Sequence, residues 1–156
     1  MVNNKDLKIL SHLRRDSRAT LTYMSKRTGI PTSTLFDRVR AQERGLIRRY
    51  TTLINFHELG YRTRAEIIIR APASCKDGLA AFLCRHPSVN SLFKLSNEYD
   101  FLAEGVFRTR AELELFLQGL VEEFQGTEAL VYPILNDVKR EGFLTDPQIS
   151  EHFTLP

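Results

Sequence analysis

Apolar positions recur at helical spacing in three stretches of the first fifty residues. Leu7, Ile9, Leu10 and Leu13 form the first stripe. Asn3 or Asn4 is placed to cap it, and Asp6 falls in the first turn, where negative charge suits the helix dipole. Leu21, Met24 and Thr28 make the buried side of a short second helix, with Thr20 as its cap. Gly29-Ile30-Pro31 then breaks the chain, and Gly29 can take the left-handed conformation that ends a helix. Thr32 or Ser33 opens a third helix in which Leu35 and Val39 point inward, Gly45 ends it, and 46–53 reads as an extended segment. Two short helices joined through a glycine turn form a helix-turn-helix.

After residue 53 the pattern shifts toward alternation. Residues 53–63 read as a connector punctuated by Gly60. Stretch 64–71, with Ile67-Ile68-Ile69, is a β-branched strand, and 77–86 is a helix with Leu79, Phe82 and Leu83 inward, stopped by Pro87. Strands at 89–95 and 99–107 flank the tight connection Ser96-Asn97-Glu98. Residues 110–124 carry the clearest helical stripe (Leu113, Phe116, Leu117, Leu120, Val121, Phe124), and 127–138 is a last strand. The order βαββαβ predicts a ferredoxin-like sandwich. The fold class is therefore α+β: a (winged) helix-turn-helix over 1–52, the connector, a ferredoxin-like domain over 64–142 and a tail, 143–156. Pro133 cannot donate to a ladder, which suits the edge position expected for the last strand. Two helices cover one sheet face, yet both faces carry apolar residues: Ile67 and Ile69 against Ile68, Phe101 against Leu102 and Val106. The uncovered face predicts a homodimer, or a higher oligomer, through the sheets.

The composition, 42% apolar and 10% aromatic over 156 residues, is globular. No run nears the ~18 continuous apolar residues of a membrane helix, so no membrane partner is expected. Cys75 and Cys84 have neither disulfide-framework nor metal-ligand spacing, and no apolar leader opens the chain, so a reducing cytoplasm is expected.

Net charge changes the picture more. Residues 1–50 hold twelve Lys or Arg against four acids, giving +8; the remainder holds ten against fifteen, giving −5. Such asymmetry implies one module that faces a polyanion. The outward face of the third helix carries Thr32, Ser33, Thr34, Phe36, Asp37, Arg38 and Arg40. Its small hydroxyl residues allow close approach to the major groove, and its arginines suit phosphates or guanine edges. Arg18, Arg48 and Arg49 complete the candidate contact set. Pattern alone leaves a plain three-helix bundle equally open; the excess positive charge favours double-stranded DNA.

The segment from Asp6 to Arg18 (Asp-Leu-Lys-Ile-Leu-Ser-His-Leu-Arg-Arg-Asp-Ser-Arg) resembles the opening signature of the Lrp/AsnC, or feast-famine, family of transcription regulators. Gly29-Ile-Pro-Thr-Ser-Thr-Leu-Phe-Asp-Arg-Val-Arg40, Gly45-Leu-Ile, Tyr50-Thr51 and Leu59-Gly60 continue it in order. The resemblance implies a sequence-specific DNA-binding regulator with a dimerisation and effector-sensing domain, and no cofactor. Departures fall at Pro31 (Ser in the family), which shifts the cap to Thr32, and at Tyr23 (Glu), which removes a capping box. Gln42 replaces Leu and the Val39-to-Gly45 spacing is one residue shorter, so the end of the third helix is expected to be shortened or repacked, with Ala41 a candidate to fill it. The family's Gly-x-Tyr-Asp hairpin, which helps bind a small effector such as an amino acid, corresponds to Asn97, Glu98, Tyr99 and Asp100. Tyr99 and Asp100 could offer a hydroxyl and a carboxylate to an amino acid, or could pack and fix the turn. The family's Thr-x-Thr on the last strand is replaced by Leu130 and Tyr132.

No phosphate-binding glycine loop, His-x-x-x-His pair or GxSxG elbow occurs, and no catalytic or metal-ligating constellation is present, so no enzyme is expected. Two rival readings share the architecture. Sirohaem decarboxylases resemble it but typically show His-Asn-Tyr where this chain reads Val89-Asn-Ser-Leu-Phe93. A ligand sensor that does not bind DNA is opposed by the +8 N-terminal third.

Overall fold

The computed structural model describes residues 3–96 and 98–146. Contacts divide the chain into two units: the first 53 residues with the chain from Val138 onward, and Ile54–Asp137.

The first unit is built on helices α1 (Asn4–Arg15), α2 (Leu21–Thr28) and α3 (Thr32–Glu43). Asn3 caps α1 reciprocally: its Oδ1 accepts the Asp6 N–H at 3.1 Å, and its own N–H donates to Asp6 Oδ2 at 2.9 Å. Thr20 caps α2 as expected, its Oγ1 accepting the Tyr23 N–H, and Gly29 closes that helix in the left-handed region at φ +70°. Ile9, Met24, Ile30 and Leu35 form the buried core. Each contributes about 1.5–3 kcal/mol by leaving water, which helices of this length need because propensity alone does not hold them.

Three local expectations are corrected. Thr32 is the first helical residue of α3 rather than its cap; Pro31 precedes it with φ −56° fixed by its ring, and no side chain closes that end. α3 stops at Glu43, before Gly45, because the Gln42 carbonyl accepts the N–H groups of Gly45, Leu46 and Ile47 at 3.2, 2.8 and 2.9 Å. Residues 46–53 therefore begin wound back on the helix and form no strand. Arg14 of α1 holds the chain's later part in this unit, donating from Nε to the Phe143 carbonyl and from Nη2 to the Glu141 carbonyl and carboxylate. Residues 138–142, expected with the second domain, thus pack here.

The second unit opens with a 3-10 turn (Phe56–Leu59) and runs β1 (Thr63–Arg70), α4 (Lys76–Arg85), β2 (Val89–Lys94), β3 (Phe101–Phe107), α5 (Arg110–Glu123), β4 (Glu128–Pro133). The sheet order is β2-β3-β1-β4, antiparallel throughout, with β4 at an edge as the topology predicts. Ala65, Ile67, Ile69, Phe101, Ala103 and Phe107 pack against Leu79 and Leu83 of α4 and Leu113, Phe116 and Leu120 of α5. Val121, expected inward, is 46% exposed, because Leu113, Phe116, Leu120 and Phe124 already fill the face toward the sheet. The opposite sheet face carries Arg64, Glu66 and Ile68, cross-strand from Val106, Glu104 and Leu102, with Phe93, Leu130 and Tyr132 exposed beside them.

Candidate nucleic-acid interface

Leu35 of α3 is fully buried and Val39 half-buried, which turns the other side of the helix to solvent. Thr32, Ser33, Phe36, Asp37 and Arg40 are exposed there, and Thr34 is half-buried. The Phe36 ring is exposed on this side of the helix. The guanidinium of Arg40, one turn on, lies over that ring at 4.9 Å from its centroid. The stack restrains the guanidinium while leaving its edge N–H donors able to meet a phosphate or the O6/N7 edge of a guanine. The short hydroxyl residues before it let the start of the helix approach a groove closely.

Arg38 is held in another way. Its Nη1 donates to Asp6 Oδ1 at 2.8 Å and to Asn3 Oδ1 at 3.3 Å. Gln42, one turn further along, is buried and donates from Nε2 to the same Asp6 oxygen at 2.9 Å. Burial pushes the Asp6 carboxyl up, but the Asn3 amide, Arg38 and Gln42 together hold it below the usual carboxylate range. Ala41, expected to repack this end of α3, is exposed; Gln42 fills the place.

The remaining candidate cations, Arg18, Arg48 and Arg49, are exposed. Arg18 follows α1 in a turn where its backbone N–H donates to Asp16 Oδ1. Arg48 and Arg49 lie between two attachments to the end of α3, the Ile47 N–H on the Gln42 carbonyl and the Tyr50 hydroxyl on Glu43 Oε1 at 2.9 Å. Partial burial, the Glu43 hydrogen bond and its charge push the Tyr50 hydroxyl up to about 12, so it stays a donor at neutral pH.

Of the four candidate effector residues, Asn97 lies outside the described residues. Glu98 is exposed and reaches Arg70 at 3.5 Å, while Arg70 also pairs with Glu128 across the sheet edge. Asp100 is engaged on both oxygens: Oδ1 pairs with Lys76 Nζ at 2.5 Å and Oδ2 accepts the Ala71 N–H at 2.9 Å. Lys76 first, then that amide, hold its carboxyl below the usual range. Its own N–H donates to the Ile69 carbonyl, so the residue fastens the hairpin to the start of α4. Tyr99 is half-buried. Among the described residues, no group of three His, Cys, Asp or Glu is assembled to hold a metal ion, and no helix is long and apolar enough to cross a membrane.

The winged helix-turn-helix DNA-binding family matches residues 2–48, the stretch that contains all three helices of the first unit. The chain is 30% identical over 129 residues to the HTH-type transcriptional regulator FL11 of Pyrococcus horikoshii, covering 81% of this chain and 85% of that one. It is 32% identical over 117 residues to the HTH-type transcriptional regulator YezC of Bacillus subtilis, covering 74% and 83%. Among solved structures, the feast or famine regulatory protein of M. tuberculosis complexed with L-methionine superposes with a TM-score of 0.81 at 25% identity, over 90% of this chain and 96% of that one. The chain belongs to the Lrp/AsnC family of DNA-binding transcription regulators. The relatives it matches are named as transcription regulators, and the α+β architecture is the family's.

Within this Lrp/AsnC regulator the first unit brings Thr32, Ser33, Phe36, Asp37 and Arg40 onto one exposed helix, while Arg38 is drawn to α1. Sequence reasoning assigned Asp6 only to a helix dipole and left Tyr50 out of the site. The available signal was the i, i+4 pair Arg38 and Gln42 beside a capping carboxylate, but the pairing spans more than thirty residues and has no local signature.

Proposed function

We propose that this regulator acts in the cytoplasm as a homodimer or higher oligomer, each copy placing α3 in the major groove of one half-site. The observation that carries the reading is the exposed Phe36–Arg40 stack on a helix whose opposite side is locked into a hydrophobic core. Thr32, Ser33, Thr34 and Asp37 meet base edges or the adjoining backbone, with Asp37 able to accept from a cytosine amine, and Arg18, Arg48 and Arg49 meet phosphates. The apolar residues on the open sheet face, Phe93, Leu130 and Tyr132, support pairing of two copies there. Two-fold symmetry then spaces the half-sites by about one turn of DNA or a multiple. Binding-site selection on a random duplex library tests this: a pseudo-palindromic consensus is expected, and recovery of unrelated sequences would overturn it.

An amino acid is the effector class we assign to the hairpin residues Glu98, Tyr99 and Asp100; one structural relative is solved in complex with L-methionine. Because Asp100 already holds Lys76 and the Ala71 amide, the ammonium of an amino acid has to exchange with Lys76. Lys76→Ala is therefore expected to tighten amino-acid binding in a calorimetric panel. Absence of binding by both parent and variant would leave Asp100 with the purely structural role of fastening the hairpin.

A further inference from the structure

We infer that Gln42 and Asp6 form a positioning clamp for DNA recognition, in which one buried carboxylate of α1 fixes the pose of α3. The inference rests on α3 being the helix that enters the groove.

Four observations carry it. Asp6 is 8% exposed and Gln42 is 7% exposed, so their hydrogen bond is shielded from water. The two side chains that reach Asp6 Oδ1, Arg38 at 2.8 Å and Gln42 at 2.9 Å, stand one turn apart on the same side of α3. Two points of attachment on one helix restrain both its rotation about its axis and its sliding along it; one point restrains neither fully. Gln42 also terminates the helix through its backbone carbonyl, which accepts three successive N–H groups and so sets where the chain carrying Arg48 and Arg49 departs. The second Asp6 oxygen is tied into the cap of α1, so the carboxylate cannot swing to follow a shifted α3.

The chemistry explains why an amide is used at a buried position. A hydrogen bond to a charged acceptor is worth more than one between neutral groups, and it is directional. A leucine of similar volume would fill the space through non-directional contact, leaving the helix able to rotate by small amounts. Base-edge readout is sensitive to such rotation, whereas phosphate contacts from flexible arginines are not. Arg38 is on this account a positioning residue, its guanidinium engaged by Asp6 and Asn3.

The test uses the full chain with the variants Gln42→Leu and Gln42→Met, which keep volume and remove the amide. Asp6→Asn and the double variant Asp6→Asn/Gln42→Leu complete a cycle. For each, affinity is measured for the consensus duplex selected by the parent and for a scrambled duplex, with thermal unfolding recorded in parallel. The expected result is a folded Gln42→Leu protein whose affinity for the scrambled duplex is unchanged while its preference for the consensus falls about tenfold, the worth of one charge-assisted hydrogen bond. The double variant should lose no more preference than Asp6→Asn alone, since the two residues act as one clamp. Gln42→Met keeps the test open if the leucine variant does not fold. A folded Gln42 variant with the parent's consensus preference would overturn the inference, as would additive losses in the double variant. A parent protein without any consensus preference would instead refute the groove-binding reading on which the inference stands.

Discussion

Arg38 and Arg40 stand two positions apart on α3, and their guanidinium groups meet different partners: a buried carboxylate for the first, an exposed phenyl ring for the second. Arg40→Ala is therefore expected to weaken DNA binding without changing the fold. If Arg40 meets a phosphate, the slope of affinity against salt falls by about one; if it meets a guanine, discrimination at that base falls by about 1–3 kcal/mol. Fluorescence anisotropy across a salt series, with single-base variants of the duplex, separates the two. Asp6 gives a pH prediction. Its folded-state pKa is depressed, so its stabilising effect is fully present above the usual carboxylate range and is lost as pH falls through the depressed value. Thermal unfolding followed from about pH 7 down to about pH 3 should show a loss that Asp6→Asn flattens; parallel curves for parent and variant would contradict it. At this scale the sequence was legible only where a side chain answers to its near neighbours. Asn3, Thr20 and Gly29 were readable as caps because each bonds within four residues. Arg38 and Gln42 were not, because their partner lies on another helix.

Elements were legible through periodicity, and their limits failed where tertiary contact intervened. Leu113, Phe116 and Leu120 mark α5 from pattern alone, yet the same pattern drew in Val121, which the finite width of the sheet face leaves outside. The end of α3 was placed at Gly45 by composition, while the fold uses the Gln42 carbonyl. The turn between α2 and α3 is a case in which the residue type is required. Gly29 adopts φ +70°, and a Cβ there would meet nothing within 4 Å, so the cost of Gly29→Ala is that of the backbone alone. A loss of about 1–2 kcal/mol is expected by chemical denaturation of the full chain. Leu120 is fully buried between α5 and the sheet, and Leu120→Ala should cost about 2–5 kcal/mol by the same measurement. Near-parent stability would contradict the left-handed turn described at Gly29 in the first case and the packing described around Leu120 in the second.

For the whole molecule, the division of charge was the clearest feature of the sequence: +8 in the first fifty residues and −5 in the rest. The basic fifty residues lie within the first unit, while the second unit leaves Phe93, Leu130 and Tyr132 exposed on its open sheet face. The return of residues 138–146 to the first unit was not legible, because it depends on Arg14 meeting backbone carbonyls of Glu141 and Phe143, which no residue pattern encodes. Leu130→Glu with Phe93→Glu places charge on the open sheet face and should leave each unit folded while shifting sedimentation toward monomer. The central claim is that this chain reads a duplex through α3. Its most direct test is the affinity of the parent protein and of Arg40→Ala for the selected duplex and for a scrambled one, measured across a range of salt concentrations. Expected are a consensus preference in the parent, steep weakening with salt for both duplexes, and a reduced preference or a shallower slope in the variant. Equal affinity for both duplexes in the parent, or a variant indistinguishable from it, would show that α3 does not read the duplex.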